Sequence, residues 1–198
     1  MKRRYTGRPP KKQQVRSNSL RIIGGLWRGR KLPVRSVKGL RPTKNRVKET
    51  LFNWLGQEIS TSHCLDLFSG AGSLGFEAAS RRAKSVTMVE LNGGAATQLR
   101  DNAARLGADN ILVINGDAVS FLEQIPRPFD VVFLDPPFRE SLIETVTMRL
   151  EFHQWLTNHA LIYIESEEKW SAGCIPTCWN LQRAKVMGQV AFRLYKKY

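Results

Sequence analysis

Five short, strongly apolar runs restrict the fold of this chain more than any other feature. HCLDLF, SVTMVE, NILVIN, FDVVFLD and ALIYIE are rich in β-branched residues and start at roughly regular intervals from residue 63. Stretches of helical texture separate them: SLGFEAASRRA, GAATQLRDNAARLG, DAVSFLEQI and SLIETVTMRLEFHQWL. Strands that are apolar throughout cannot leave one face in water. Alternating with helices, they call for a parallel sheet covered on both faces. The end of the chain breaks this pattern. WNLQRAKVMGQVAFRLYKK reads as two strands around Gly188 with no room for a crossover helix, so at least one strand there is antiparallel. At 198 residues and 42% hydrophobic, the chain is one α/β domain of ordinary size with a small appendage.

The appendage lies at the start. Residues 1–19 hold Lys, Arg, Pro, Gln and Ser without any period and read as a disordered basic tail. Residues 20–58 read as a hairpin and a helix, and residues 59–198 as the α/β domain. In the hairpin, two short apolar-basic runs flank Gly24, Gly25 and Gly29. In the helix, RPTKNRVKETLFNWLGQ, Thr43 is a good N-cap, and Val47, Leu51, Trp54 and Leu55 make one apolar face. Lys44 and Lys48 are expected on the other, solvated side.

Charge follows the same division. Residues 1–60 carry 17 basic and 2 acidic side chains, whereas residues 61–198 carry 14 basic and 15 acidic ones. A basic arm on a near-neutral body reads as a polyanion-binding segment. The arm has no amphipathic apolar face, which argues against a membrane surface. The first twenty residues lack the apolar core of a signal peptide, and no apolar run is long enough to cross a bilayer. Three cysteines, Cys64, Cys174 and Cys178, make no disulfide framework, and an odd count fits a reducing cytoplasm. Neither the cysteines nor His63, His153 and His159 show metal-ligand spacing, so no metal is expected.

Four features at the ends of the predicted strands carry chemistry. LDLFSGAGSLG runs from a strand through a glycine-rich loop into a helix, with Asp66 just before the loop. In an open parallel sheet, ligands sit beyond the carboxyl ends of the strands, where such loops lie. Glu90 ends the next strand, and a carboxylate there can accept bonds from both hydroxyls of a ribose. Gly70, Gly72 and Gly75 also spell the dinucleotide fingerprint. An acid before the loop does not suit a pyrophosphate, however, and the chain is short for a second nucleotide half. Asp117 follows the third strand, where it can cap a helix or accept from an adenine amine. FDVVFLDPPFRE is the most telling. Its two prolines fix φ and remove two N–H donors, leaving a stiff turn with outward carbonyls. The Asp135 carboxylate, the Pro136 and Pro137 turn and the Phe138 ring then converge. Such a set grips a planar base with an exocyclic amine, accepting its N–H bonds and stacking on its face.

In that order, LDLFSGAGSLG, Glu90, Asp117 and DPPF resemble the Rossmann-like S-adenosylmethionine-dependent methyltransferases that modify exocyclic amines. RIIGGLWRGRKLPV, GLRPTKNRVKETLFNWL and the GQVAFRLYKK end narrow the resemblance to the RsmD family, bacterial (guanine-N2)-methyltransferases of small-subunit ribosomal RNA. The likeness covers about residues 20–198. It implies a mostly parallel seven-stranded sheet with an antiparallel C-terminal hairpin, and S-adenosylmethionine as cofactor. It implies that Asp66, Phe68, Gly70 and Gly72 lie at the methionine end of the cofactor, Glu90 at its ribose and Asp117 at its adenine amine. Asp135, Pro136, Pro137 and Phe138 would hold the target guanine, making them the catalytic group. RNA would meet Arg21, Trp27, Arg28, Arg30 and Lys31 of the hairpin and Arg41, Thr43 and Arg46 of the helix start. The expected partner is ribosomal RNA or an assembling 30S particle, met by a monomer in the cytoplasm. Two rivals stand beside this reading. One is an adenine-N6 methyltransferase with a similar Asp-Pro-Pro-aromatic turn. The other is a non-enzymatic RNA-binding protein that retains the fold.

Overall fold

The structure is a computed structural model that describes residues 19–34, 45–137, 142–170 and 175–198. Seven strands form one sheet in the order β5-β4-β3-β6-β7-β9-β8. They are β3 (His63–Asp66), β4 (Ser85–Glu90), β5 (Ile111–Asn115), β6 (Phe129–Leu134), β7 (Leu156–Glu167), β8 (Trp179–Met187) and β9 (Val190–Lys197). Strands β3 to β7 pair in parallel, and β9 pairs antiparallel with both β7 and β8. The parallel sheet and closing hairpin therefore match the sequence expectation. The turn between β8 and β9 passes through Gly188 at φ 69°, a left-handed conformation that favours glycine.

Two layers cover the sheet. On one side lie α1 (Asn45–Leu55), α2 (Ser73–Ser80) and α3 (Gly93–Leu106), packed on Cys64, Met88, Phe133, Tyr163 and Phe192. On the other lie α4 (Ala118–Leu122) and α5 (Leu142–Phe152), packed on Leu65, Val132, Ile162 and Tyr195. Alternate residues of the central strands thus reach opposite cores, which is why those runs are apolar throughout. Each fully buried Leu, Val or Phe contributes about 1.5–3 kcal/mol of transfer free energy.

The sequence places Trp155 and Leu156 in a helix, but in the structure Trp155 lies in the connection after the helix and Leu156 opens β7. Helix α5 ends at Phe152, Gln154 takes φ 58°, and Leu156 pairs with Phe129. A left-handed residue stops the helical hydrogen-bond series there.

The N-terminal hairpin consists of β1 (Ser19–Arg21) and β2 (Lys31–Pro33), so Ser19 already belongs to a strand. Leu20, Ile22 and Leu32 share one core with α1 and α2. Backbone contacts fix the hairpin on α2: Leu26 N–H donates to the Ser80 carbonyl, and Ser80 Oγ donates to the Gly24 carbonyl. Thr43, the expected cap of α1, lies outside the described residues. Of the expected apolar face of α1, Val47, Leu51 and Leu55 are buried, and Trp54 packs on Phe192 with ring centroids 5.4 Å apart.

Lys48 departs from expectation. It is buried, not solvated, and its Nζ donates to the Arg21 carbonyl at 2.6 Å. Its ion-pair partner is Glu77 of α2 at 3.8 Å, also fully buried. The other Glu77 oxygen accepts from Arg81 Nε at 2.9 Å, and Glu77 Oε2 accepts from Ile23 N–H at 2.9 Å. One carboxylate therefore ties the hairpin, α1 and α2 together. A helical wheel of α1 alone cannot show this, because the partner of Lys48 comes from elsewhere in the chain. Removing one member of a buried pair leaves the other uncompensated. Glu77→Ala is expected to cost about 3–5 kcal/mol, read as a lower midpoint in urea unfolding.

Candidate active site

The connections from β3 to β4 to β5 step outward in one direction, and β6 then pairs on the opposite side of β3. The carboxyl ends of β3 and β6 therefore flank the switch point of the sheet, where open α/β sheets hold their ligands. The glycine-rich loop rises from β3 and the Asp135 turn rises from β6. Along this rim the acids run Asp117, Glu90, Asp66, Asp135, one from each of β5, β4, β3 and β6 in sheet order.

The loop is tightly specified. Gly72 has φ 83°, and a Cβ there would lie 2.5 Å from the Phe76 ring and 2.7 Å from Leu99. Gly70 N–H donates to Glu90 Oε2 at 2.8 Å, and Asn92 N–H donates to Glu90 Oε1 at 2.7 Å. Glu90 is half-buried, and these two bonds aim its carboxylate. An ionised carboxylate has about four acceptor sites, so acceptor capacity remains for a ligand. Phe68 is half-buried beside the second core, at the foot of the loop. Strand β2 reaches the same place: Pro33 and Val34 line a small cleft with Gly70, Ala71, Ala95, Gln98 and Leu99.

Asp66 sits beneath the loop. It is buried, and its Oδ2 accepts from Gly75 N–H at 2.9 Å, across the loop it precedes. Burial pushes its carboxyl up to about 7, against the Gly75 bond that favours the ionised form and with help from the nearby Glu90 charge. Asp117 caps α4, with Oδ1 accepting from Ser120 N–H at 2.8 Å. Its carboxylate is exposed at the rim, so the capping reading holds in the structure.

At the second wall, Asp135 is half-buried, Pro136 buried and Pro137 exposed. Phe138 lies outside the described residues. The sequence misses the neighbours of this turn. Glu165, the last residue of the run ALIYIE, is buried on β7 and accepts from Tyr163 Oη at 3.0 Å. Leu134 pairs with Ile164, so Glu165 is the next residue beside Asp135. Burial raises the carboxyl of Glu165. Burial also raises the Tyr163 hydroxyl, and the charges of Glu165 and Asp135 add to this. The two-residue period of a strand is the available signal, since it puts Tyr163 and Glu165 on one face.

On the extension, Arg21, Arg28, Arg30, Lys31 and Arg46 are exposed. Trp27 is half-buried against the α1-side core, and its backbone N–H donates to Ser80 Oγ. Arg41 lies outside the described residues, as does Thr43. Among the described residues no group of His, Cys, Asp and Glu could hold a metal ion. Cys64 is buried and its thiol is pushed up to about 12 by that burial, and Cys178 is half-buried. No helix among the described residues is long and apolar enough to cross a membrane.

The raised carboxyl of Asp66 has a signed consequence. Between about pH 4 and about pH 7 the folded state binds a proton there that the unfolded state has released. Its contribution to stability is therefore full at about pH 4 and lost as pH rises to about 7. Asp66→Asn is expected to flatten that segment of the stability–pH curve relative to wild type, measured by urea unfolding at each pH.

Comparison with known proteins agrees with this architecture. A family model described as Conserved hypothetical protein 95 matches residues 20–196. "Ribosomal RNA small subunit methyltransferase D" of Escherichia coli (strain K12) is 51% identical over 181 residues, covering 91% of each chain. The protein of the same name from Haemophilus influenzae is 51% identical over 181 residues, covering 89% of this chain and 93% of its own. The solved structure of yhhF from Escherichia coli superposes with a TM-score of 0.86 at 48% identity, covering 91% of this chain and 98% of that one. With its Rossmann-like methyltransferase fold and this match over nearly its whole length, the chain belongs to the Conserved hypothetical protein 95 family, the RsmD-type methyltransferases.

Proposed function

We propose that this protein is an S-adenosylmethionine-dependent methyltransferase of small-subunit ribosomal RNA, acting on the exocyclic N2 of a guanine. The observation that carries this reading is the juxtaposition at the switch point. A glycine-rich loop braced by Glu90 stands next to an Asp-Pro-Pro turn, on a chain half identical to proteins named as small-subunit ribosomal RNA methyltransferases. A non-enzymatic RNA-binding protein would have no use for the Asp135 turn set beside such a loop.

The residues at the rim fit the cofactor. Gly70 and Gly72 leave room for close approach, Glu90 is aimed by two N–H bonds, and the acid Asp117 is exposed beside them. Glu90 would hold the ribose and Asp117 the adenine amine. Phe68, Gly70 and Gly72 would border the methionine end, with Asp66 bracing the loop through Gly75. When bound, S-adenosylmethionine supplies an electrophilic methyl group that needs no acid to free its leaving group.

The chain supplies the rest. Exocyclic amines are weak nucleophiles because the ring delocalises their lone pair. The Asp135 carboxylate and the carbonyls of the proline turn would accept hydrogen bonds from the amine and orient its nitrogen for attack, with Phe138 stacking on the base. The stiffness of the turn matters, since a proline pair cannot relax away from the base. The base must leave its stack to reach the pocket, as expected for chemistry on a base edge. The exposed cations of the extension bind phosphates and supply affinity with little sequence information. Substrate in this reading is the RNA of an assembled or assembling 30S particle, met by a monomer in the cytoplasm.

The test is methyl transfer from labelled S-adenosylmethionine to undermethylated small subunits and to the matching naked RNA, followed by nucleoside identification. N2-methylguanosine is the expected product, and N6-methyladenosine would overturn the guanine assignment. Asp135→Ala is expected to lower turnover by at least about 10²-fold with cofactor binding retained. If the extension neutralises about six phosphates, log affinity falls with log salt at a slope of about −4 to −5. A slope near zero would refute phosphate binding by the extension.

A further inference from the structure

The near-neutral balance of residues 61–198 conceals a segregation. Residues 61–168 hold 8 basic and 15 acidic side chains, whereas residues 169–198 hold 6 basic and none acidic. The C-terminal hairpin is therefore a second cationic segment, separate in sequence from the N-terminal arm.

Most of its cations are already engaged or face elsewhere. Lys197 pairs with Glu151 at 2.8 Å. Arg193 donates to Ser166 Oγ and lies over the Trp170 ring at 5.3 Å. Lys196 lines a polar hollow with Glu58, Asp130 and His159, at the opposite end of the sheet from the rim. Of the five cations within the hairpin, which Lys169 precedes, Arg183 and Lys185 remain. Both are exposed on β8, and among the described residues neither forms an ion pair.

Their direction is set by a bulge. Leu181 pairs with Tyr195, but Arg183 pairs with Leu194, so Gln182 is an extra residue on β8. Tyr195 belongs to the core under α4 and α5, whereas Leu194 and Phe192 belong to the core under α1. One inserted residue moves every later side chain to the opposite face. Arg183 and Lys185, opposite Leu194 and Phe192, consequently point to the α1 side, and Met187 packs on that same core. The N-terminal hairpin also rests on this side. On that face of the sheet the acids of the nearest acid-bearing strand, Glu165 and Glu167, lie two strands inward on β7, and Glu165 is buried.

Lys185 is level with Phe192, which is level with Glu165, the neighbour of Asp135. Three strand spacings separate Lys185 from Asp135, about 15 Å at about 4.8 Å each. The two cations stand about 7 Å apart along β8. A bulged edge bearing Lys and Arg is also poorly suited to pairing with a strand from another protein. A polyanion is the better fit.

Resting on the function proposed above, we infer that Arg183 and Lys185 form a second phosphate-binding surface. It holds the RNA on the flank of the site opposite the N-terminal hairpin, so that the substrate is gripped on both sides of the Asp135 turn.

The test compares Arg183→Gln/Lys185→Gln with wild type on naked small-subunit RNA and on assembled particles. Both residues are exposed, so folding is not at stake. RNA affinity is expected to fall about tenfold at low salt, with the log–log salt slope reduced by about 1.4–1.8. KM for RNA should rise in parallel while kcat and S-adenosylmethionine affinity stay within about twofold. Arg127→Gln/Lys196→Gln makes the same charge change at the far end of the sheet and should leave affinity and slope as in wild type. Unchanged affinity and slope in the β8 variant would overturn the inference. So would an equal loss in the Arg127/Lys196 variant, which would reduce the effect to net charge. A loss on assembled particles alone would reassign the surface to a ribosomal protein. Wild-type protein that binds RNA but transfers no methyl group would count against the proposed function and leave this surface standing.

Discussion

The parallel pairing of β3 with β6 is the contact on which the site depends. Cys64, Leu65 and Asp66 run beside Val131, Val132 and Phe133, although the two strands lie more than sixty residues apart in sequence. That register ends both strands at the same level. It sets the glycine-rich loop of one against the Asp-Pro-Pro turn of the other, at the place where the parallel part of the sheet reverses its order of growth. Separated by another strand, the two would each keep their local conformation and have no joint function. The energetics are those of a buried parallel pair, with apolar side chains on both faces and no tolerance for a slip that would drive a carboxylate into the core.

The N-terminal segment is coupled to this centre by charge as well as by packing. Glu77, itself fully buried, receives Lys48 from α1, Arg81 from the C-cap of its own helix and Ile23 N–H from the hairpin loop. The arrangement fixes where the hairpin sits on α2, and α2 begins at the glycine-rich loop. A basic hairpin on a flexible tether would attract RNA without orienting it. Here, Pro33 of β2 and the following Val34 border the same cleft as Gly70 and Ala71. Bound RNA and the loop are thereby held in one frame.

Much of the site was legible because its signals are local. A strand followed by a glycine-rich turn, acids at strand ends and a proline pair after a buried strand each declare their geometry within a few residues. The residues around them were not legible. Lys48 reads as a surface cation until Glu77 is brought to it, and nothing local shows that Glu165 is buried until β9 covers β7. Leu156 fits the helical period and still opens β7, because pairing with β6 outweighs the short-range pattern. In each case the deciding partner is distant in sequence.

The sequence by itself determined the alternation of strands and helices, the closing hairpin and the chemistry available at each strand end, since these follow from periodicity, turn residues and side-chain type. The tertiary structure alone decided which strands are neighbours, and hence which acids share a rim. It also decided which charges are buried and which way β8 faces. A single extra residue at Gln182 turns two cations from one side of the sheet to the other. Composition and pattern do not register that turn, because a bulge is defined by the partner strand against which the count is made.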